Sequence, residues 1–318
     1  MSKYEQIELQ AVKRYSIKKR YSKVDSSRLS IPYHAGSSFL KWFDSLPKIL
    51  IASDLHEFVD RIVAARLKEK PVILMMGAHV IKVGLSPIVI DLMRQNVITC
   101  VATNGAGIVH DSELCLFGQT SEEVADGLAD GTFGMVEETG SFINTSILDG
   151  HRQQLGLGEA VGKRLSEQAK GWQEHSILGN AYAHDVPATI HVAIGTDIIH
   201  QHPDADGEAI GATSFRDFRI FTSQVAKLHD GGVVINFGSN VIMPEVFLKA
   251  LTVARNIHKH VTNFYTANFD MLQHYRPRVN VVQRPTLTGG KGYSFTGHHE
   301  IMMPLLAAAV KEKLRLAQ

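Results

Sequence analysis

Short, unbroken apolar runs alternate with longer amphipathic stretches along this chain. "PVILMM" (71–76) is followed by "VITCVAT" (97–103), "ATIHVAI" (188–194), "GGVVINF" (231–237) and "VTNFYTA" (261–267). All are rich in β-branched residues, and each predicts a strand. Helical spacing fits 54–70, 86–96, 121–131, 216–228, 243–258 and 300–317. Ser86 is placed to cap the second of these, with Pro87 at its first helical position. Strands apolar on both faces, set between helices, predict a mostly parallel sheet covered on both sides. The expected fold class is α/β, doubly wound and Rossmann-like.

The chain has 318 residues. The simplest division is an N-terminal extension or arm over 1–34 and a single domain over 35–318. The segment from Gly150 to Gly171, rich in Gln, Gly and Arg, is the best candidate for a surface insertion. The formal net charge is +1, from 33 basic and 32 acidic residues. That balance points to no nucleic acid and no membrane surface as partner. The one basic stretch is "KRYSIKKRYSK", Lys13 to Lys23, read as a solvated arm or as a phosphate-binding or intersubunit arm. Cys100 and Cys115 have apolar neighbours and no CxxC spacing, which favours buried reduced thiols. With no membrane-length apolar run and no apolar signal core near residue 1, the expected location is the cytoplasm.

Ligands of open α/β sheets bind at the carboxyl ends of strands. Here Gly77-Ala78-His79 follows the first strand and "NGAGIVHD" (104–111) the second. "GTDIIHQHPDADGE" (195–208), "GSN" (238–240) and "NFD" follow the next three. Glycines and small polar residues at five strand ends suggest a crevice where backbone meets a ligand. Gly105-x-Gly107 is a partial dinucleotide fingerprint: His110 stands at the third glycine position, and no acidic strand end follows at the usual interval. The alternatives are a nucleotide held in another way and a tight strand-to-helix turn. His110, Asp111 and Asp197 could exchange a proton or bind a cation, with helix capping as the other reading of Asp111. His200-x-His202 in extended chain would turn two rings to one side, toward a metal; otherwise it is a polar surface loop. His298-His299-Glu300 either caps the last helix or reaches the crevice. Lys82 and Lys291 are candidate imine-forming nucleophiles if desolvated.

The order and content of these segments resemble deoxyhypusine synthase over roughly residues 35–315. "GAHVIKVGLSPIVIDLMRQNVITCVATNGAGIVHD", "VPATIHVAIGTDII", "GGVVINFGSNVIMPEVFLKAL" and "HHEIMMPLLAAAV" each look like a stretch of that family. The resemblance implies NAD in a Rossmann-like sheet, active sites between the subunits of a homotetramer, and transfer of an aminobutyl group through a lysine imine. It assigns Gly77, Ala78, His79, Val80 and Ile81 to the cofactor wall, with Thr103, Asn104 and Gly105. Gly107, Gly238, Thr266, Ala267, His298 and His299 complete that side. On the substrate side it implies His110, Asp111 and Asp197. Glu245 stands where the family has its substrate histidine. The loop carrying the family's nucleophile has no counterpart, and Lys291 is the nearest lysine. Arg276 and Arg278 suggest a polar or acidic group on the substrate. The expected protein is an NAD-dependent, transferase- or oxidoreductase-like enzyme with an altered reaction on a small amine or polar substrate. A metal-dependent hydrolase or isomerase using His200 and His202, and a non-enzymatic small-molecule binding protein, are the alternatives.

Overall fold

The structure is a computed structural model that describes residues 2–168, 170 and 172–317. Among them, six strands form one all-parallel sheet in the order β3-β2-β1-β4-β5-β6. The strands are β1 Val72–Met76, β2 Cys100–Asn104, β3 Ala188–His191, β4 Val233–Phe237, β5 Phe264–Asp270 and β6 Gly290–Thr296. The expected α/β doubly wound class is what the chain adopts. The strand order reverses between β1 and β4, and crevices open at such reversals.

The apolar runs are continuous because both faces are covered. Val72, Leu74 and Met76 face one layer, which includes α1 (Leu50–Leu67), α2 (Ser86–Arg94), α3 (Gly105–Phe117) and α9 (His299–Ala317). Ile73 and Met75 face the other, built from α7 (Gly207–Ala226) and α8 (Ile242–His258). Phe237, Phe269 and Phe295 stand in register on β4, β5 and β6. Their rings stack at centroid distances of 4.4 and 4.6 Å, and Phe58 of α1 lies 6.0 Å from Phe269 and 5.7 Å from Phe295.

Several element boundaries differ from expectation for identifiable reasons. Val97 and Ile98 are buried on the approach to β2, which starts only at Cys100. β5 starts and ends three residues late, at Phe264 and Asp270. β6 is an edge strand with three glycines among its first three positions and neighbours, and its burial is irregular, so no apolar run marks it. α7 begins at Gly207, nine residues before the expected start. Its cap is the Asp206 carboxylate, which accepts from the Ala209 N–H at 2.8 Å.

The expected insertion at 150–171 is instead part of the core, apart from residues 169 and 171, which lie outside the described residues. It contains α5 (Leu157–Gln168), whose Leu157, Val161 and Leu165 are fully buried. Its glycines mark close approaches in the core rather than an exposed insertion. A Cβ on Gly158 would lie 2.1 Å from the Ala188 carbonyl oxygen, and one on Gly162 would lie 2.4 Å from that of Leu178. Residues 2–36, by contrast, bury no side chain. No helix among the described residues is long and apolar enough to cross a membrane.

Candidate active site at the carboxyl edge of the sheet

Gly77 ends β1 with its N–H on the Phe237 carbonyl, 2.9 Å away, and so lies against the end of β4. A Cβ there would meet the Gly238 carbonyl oxygen at 2.5 Å. Gly238 has φ +64°, and a Cβ on it would lie 2.3 Å from Cε1 of His299. The three residues therefore form a tight stack directly at the strand-order reversal. The imidazole of His299, 5% exposed, lies edge-on to Phe237 at 5.7 Å and to His79 at 5.6 Å. The phenylalanine ladder is its floor.

Neither ring nitrogen of His299 has a hydrogen-bond partner of good geometry among the described residues. Burial lowers its pKa, and His79 adds to that; Asp270, the Phe269 carbonyl and Glu300 oppose it. The net direction is toward a neutral ring at physiological pH. Asp270, 4% exposed, ends β5 with its Oδ2 likewise unpartnered. Asn240 Oδ1, two residues past Gly238, and Asn104 Oδ1, at the end of β2, are also buried and unpartnered. A buried polar atom without a partner costs about 1–3 kcal/mol. Four side chains near this sheet edge carry such an atom, and each is a candidate for a hydrogen bond from a ligand.

A second group gathers at the ends of β2 and β3. Gly105 starts α3 with no intervening loop. The Asp197 carboxylate lies against it: a Cβ on Gly105 would be 2.2 Å from its Cγ. This carboxylate also accepts from the Ala193 N–H at 3.3 Å. The positive end of α3, the place a nucleotide phosphate takes in a dinucleotide fingerprint, is thus met by the chain's own anion. Burial raises the Asp197 pKa, against the backbone donors of Ala193 and Ala106 and the charge of His200. Gly107 serves helix packing, since a Cβ there would lie 2.5 Å from Thr103 Oγ1. "NGAG" is a tight strand-to-helix turn.

Other candidates fall elsewhere. Val80 and Ile81 are buried core residues of a short helical turn, His79–Lys82; Ala78 is half-buried beside Gly77. Thr266 and Ala267 lie mid-strand in β5, fully buried, because that strand runs on to Asp270. Asp111 is a cap: it accepts from Ser176 Oγ at 2.6 Å, Ile177 N–H at 2.7 Å and Leu178 N–H at 3.1 Å, at the start of α6 (Ile177–Ala183). Burial raises its pKa to about 6 despite those donors. His110 Nδ1 meets Thr120 Oγ1 at 2.7 Å, and that hydroxyl donates to Glu113 at 2.5 Å. Burial and Lys82 lower the His110 pKa, against Glu113. Glu245 is ion-paired with Lys249 and Arg276 and accepts from Asn280 at 3.0 Å, on the α8 face. His298 is exposed, 3.8 Å from Glu300.

The segment holding His200 is a 3-10 turn (Ile198–Gln201), so the two histidine rings diverge. His202 Nε2 sits 2.9 Å from the Gly134 carbonyl, whereas His200 Nδ1 accepts from Gly195 at 3.3 Å. Among the described residues no group of three or more His, Cys, Asp or Glu side chains is placed to hold a metal.

Lys291 is the clearest displacement from the expected site. It lies at the amino end of β6, the opposite edge of the sheet, 2.8 Å from Asp54 and 2.7 Å from Glu57. Desolvation pulls its pKa down, but the two carboxylates outweigh it and leave it raised, the reverse of an activated amine. Lys291→Met is expected to cost no more than about 1 kcal/mol, as for other exposed ion pairs. Thermal melts check this; a loss of several kcal/mol would show that the pair with Asp54 and Glu57 does more than its exposure allows.

Asp270 is a candidate that the sequence quoted only as part of a strand end, with no role of its own. It stands in "NFD", three residues beyond the expected end of β5, and the polar break after Phe269 was the available signal.

No family model matches the chain. It is similar to a deoxyhypusine synthase-like protein of Chlorobaculum parvum, 23% identical over 212 residues, which are 60% of this chain and 59% of that protein. The chain thus aligns with about three-fifths of the relative's length. A solved structure assigned as a deoxyhypusine synthase from Entamoeba histolytica superposes with a TM-score of 0.51 at 13% identity, covering 88% of this chain and 95% of that one. A LOR/SDH protein from Methanococcus maripaludis S2 gives 0.51 at 15% identity over 84% and 70%. AgrE in ternary complex with ornithine and NAD+ gives 0.50 at 11% identity over 82% of this chain and 33% of its own. The chain is thus similar to a deoxyhypusine synthase-like protein over three-fifths of its length, and the structural likenesses show its fold.

Proposed function

We propose that this chain is an NAD-dependent enzyme related to deoxyhypusine synthase, with an altered reaction on a small amine or polar substrate. The observation that carries the reading is the unpartnered buried set, Asn104, Asn240, Asp270 and His299, around the β1–β4 reversal. NAD fits this set in kind. Its ribose hydroxyls and carboxamide are hydrogen-bond donors, and three of the four side chains offer only an oxygen there. The stack of Gly77 on Gly238 lets the ends of β1 and β4 and the His299 ring approach closely, which holds His299 at the reversal. Bound there, NAD would supply a hydride acceptor.

The chain's own groups do the rest. Asp270 takes a donor hydroxyl or ammonium of a ligand. His299, neutral and held on its aromatic floor, accepts a proton at a ring nitrogen, and Asp270 stabilises the cation that results. His110, within the field of Lys82, is a second base on the substrate side. With Lys291 at the opposite edge, no imine on that lysine forms part of this reaction. The homotetramer and the cytoplasmic setting belong to the same proposal. The two free cysteines are buried, with thiol pKa values pushed up to about 12, as suits a reducing compartment.

The test is NAD binding by calorimetry with wild-type chain, Asp270→Asn and His299→Gln. Wild type is expected to bind at micromolar to sub-millimolar Kd. Each variant should lose 10-fold or more, in line with about 1.4 kcal/mol or more per lost contact. Absence of binding by NAD and NADP to the wild type would remove the reading.

A further inference from the structure

His110 and Glu113 are three residues apart on α3 and so share one face of that helix. Gly118 ends the helix in the left-handed conformation, φ +72°, which turns the chain back along it. The return sets the Thr120 hydroxyl between the two side chains, 2.7 Å from His110 Nδ1 and 2.5 Å from Glu113 Oε2. Ser121, next in the chain, takes φ +74°, a backbone state that costs a residue with a side chain about 1–3 kcal/mol. The other Glu113 oxygen, Oε1, accepts from Thr139 Oγ1 at 3.0 Å, on α4 (Glu137–Arg152). Two hydroxyls from two elements thus fix one carboxylate.

Hydrogen-bond capacity sets the direction of this chain of contacts. A threonine hydroxyl has one proton to give. Thr120 gives it to Glu113, so toward His110 it can only accept. The imidazole must therefore carry its proton on Nδ1. Desolvation and Lys82 favour the neutral ring, against Glu113, and so Nε2 is left bare. On its outer side Glu113 opens into a cleft of about 410 Å³. Glu122 and Glu138 also line that cleft and, among the described residues, no lysine or arginine does.

We propose that Thr120 and Glu113 are positioning residues for His110: they hold its proton on Nδ1, present Nε2 as the base, and pass the proton it takes to the acidic cleft. A proton arriving at Nε2 lets the Nδ1 proton move to Thr120 Oγ1, while the threonine's own proton moves to Glu113. The ring ends neutral with its proton on Nε2, and the threonine is again a hydroxyl. Glu113 becomes a carboxylic acid and releases the proton into the cleft. Run backwards, the same transfers return a proton to the substrate side. A histidine set in this way moves a proton without keeping a positive charge in the field of Lys82. The role rests on the reading of His110 as a substrate-side base; the tautomer does not.

The test observes the ring nitrogens of the full chain, free of ligand, by 15N–1H correlation after labelling its histidines with 15N. Comparison with His110→Gln identifies the signals. Near neutral pH, wild type is expected to show a proton on Nδ1 and none on Nε2. Thr120→Ser should keep that form, and Thr120→Val should lose it to the Nε2–H form or to a mixture. Glu113→Gln should lower the pH at which the ring takes its second proton by about 0.5 or more, because the carboxylate holds that value up; Lys82→Met should raise it. A wild-type ring with its proton on Nε2, or a Thr120→Val spectrum and titration like those of wild type, would overturn the proposal. Absence of NAD binding would leave these spectra as they are and remove only the proposed reaction, so the two failures are distinct.

Discussion

Gly77→Val is expected to abolish the proposed NAD binding and to lower the melting temperature by about 2–12 °C. The obstacle is backbone, not side chain. A Cβ at this position meets the Gly238 carbonyl oxygen at 2.5 Å and its carbonyl carbon at 3.1 Å. Relief requires the ends of β1 and β4 to separate, and the Gly77 N–H to Phe237 bond goes with them. Overpacking of this kind costs about 1–3 kcal/mol, more where the neighbour is rigid, and a chain of this size loses about 2–4 °C per kcal/mol. Moving Gly238 also moves the His299 ring above it. Melting curves with and without NAD read both effects. Wild-type stability together with a wild-type NAD shift would mean that the two strand ends are free to part, contrary to the stack described above.

Asp217→Asn is expected to stabilise the chain at and above neutral pH and to flatten its pH dependence. Asp217 is fully buried on α7. Its Oδ2 accepts from Gly158 at 2.9 Å and from Ile190 at 2.7 Å, which ties α5 to β3. Burial raises its pKa to about 8, against the Gly158 and Ile190 donors; Glu159 adds to the rise. A carboxyl whose folded value lies above its unfolded one binds more protons folded than unfolded between the two. Its contribution is therefore present at low pH and is lost as pH climbs through that window, here from about 4 to about 8. Asparagine keeps an oxygen for the two N–H donors and carries no charge. Denaturant titrations at pH 6 and 8.5 should show wild type losing a few kcal/mol between them and the variant losing less. Equal slopes for the two would show that Asp217 does not titrate in this range.

Most of the sheet could be read from its strands because a strand covered on both faces must be apolar throughout. β1 matches its expected span to one residue for that reason. β6 escaped the same reading. It is an edge strand, exposed at its glycine-rich start, and only Tyr293 and Phe295 are buried. Glycine misled in two directions. At 150–171 it suggested a surface insertion but, among the described residues, provides close helix contacts, and at 105 and 107 it suggested a partial dinucleotide fingerprint where Asp197 and Thr103 fill the space of the missing Cβ atoms. Periodicity cannot distinguish these uses, because both need a missing Cβ. The candidate site was legible as a set of strand ends, and Gly77, Asn104, Gly238 and His299 do lie at the carboxyl edge. Thr266 and Ala267 lie mid-strand, because Asn268 is polar yet fully buried and hid the last three residues of the strand. Its amide lies instead in a chain of hydrogen bonds from Asn236 to Gln273.

The strand order also bears on how the chain reaches its fold. β1 and β4 are neighbours at the centre of the sheet, yet Val72 pairs with Val233. A growing chain can join β1 to β2 and β2 to β3 as they emerge, but the other edge of β1 stays bare until residue 237 is made. That edge is "VILMM", an unpaired apolar strand of the kind that templates aggregation. Long-range parallel pairing is also slow to close. Refolding from denaturant should accordingly be the vulnerable step, with yield falling as protein concentration rises. Chaperone capture of nascent chains should cease once β4 is available.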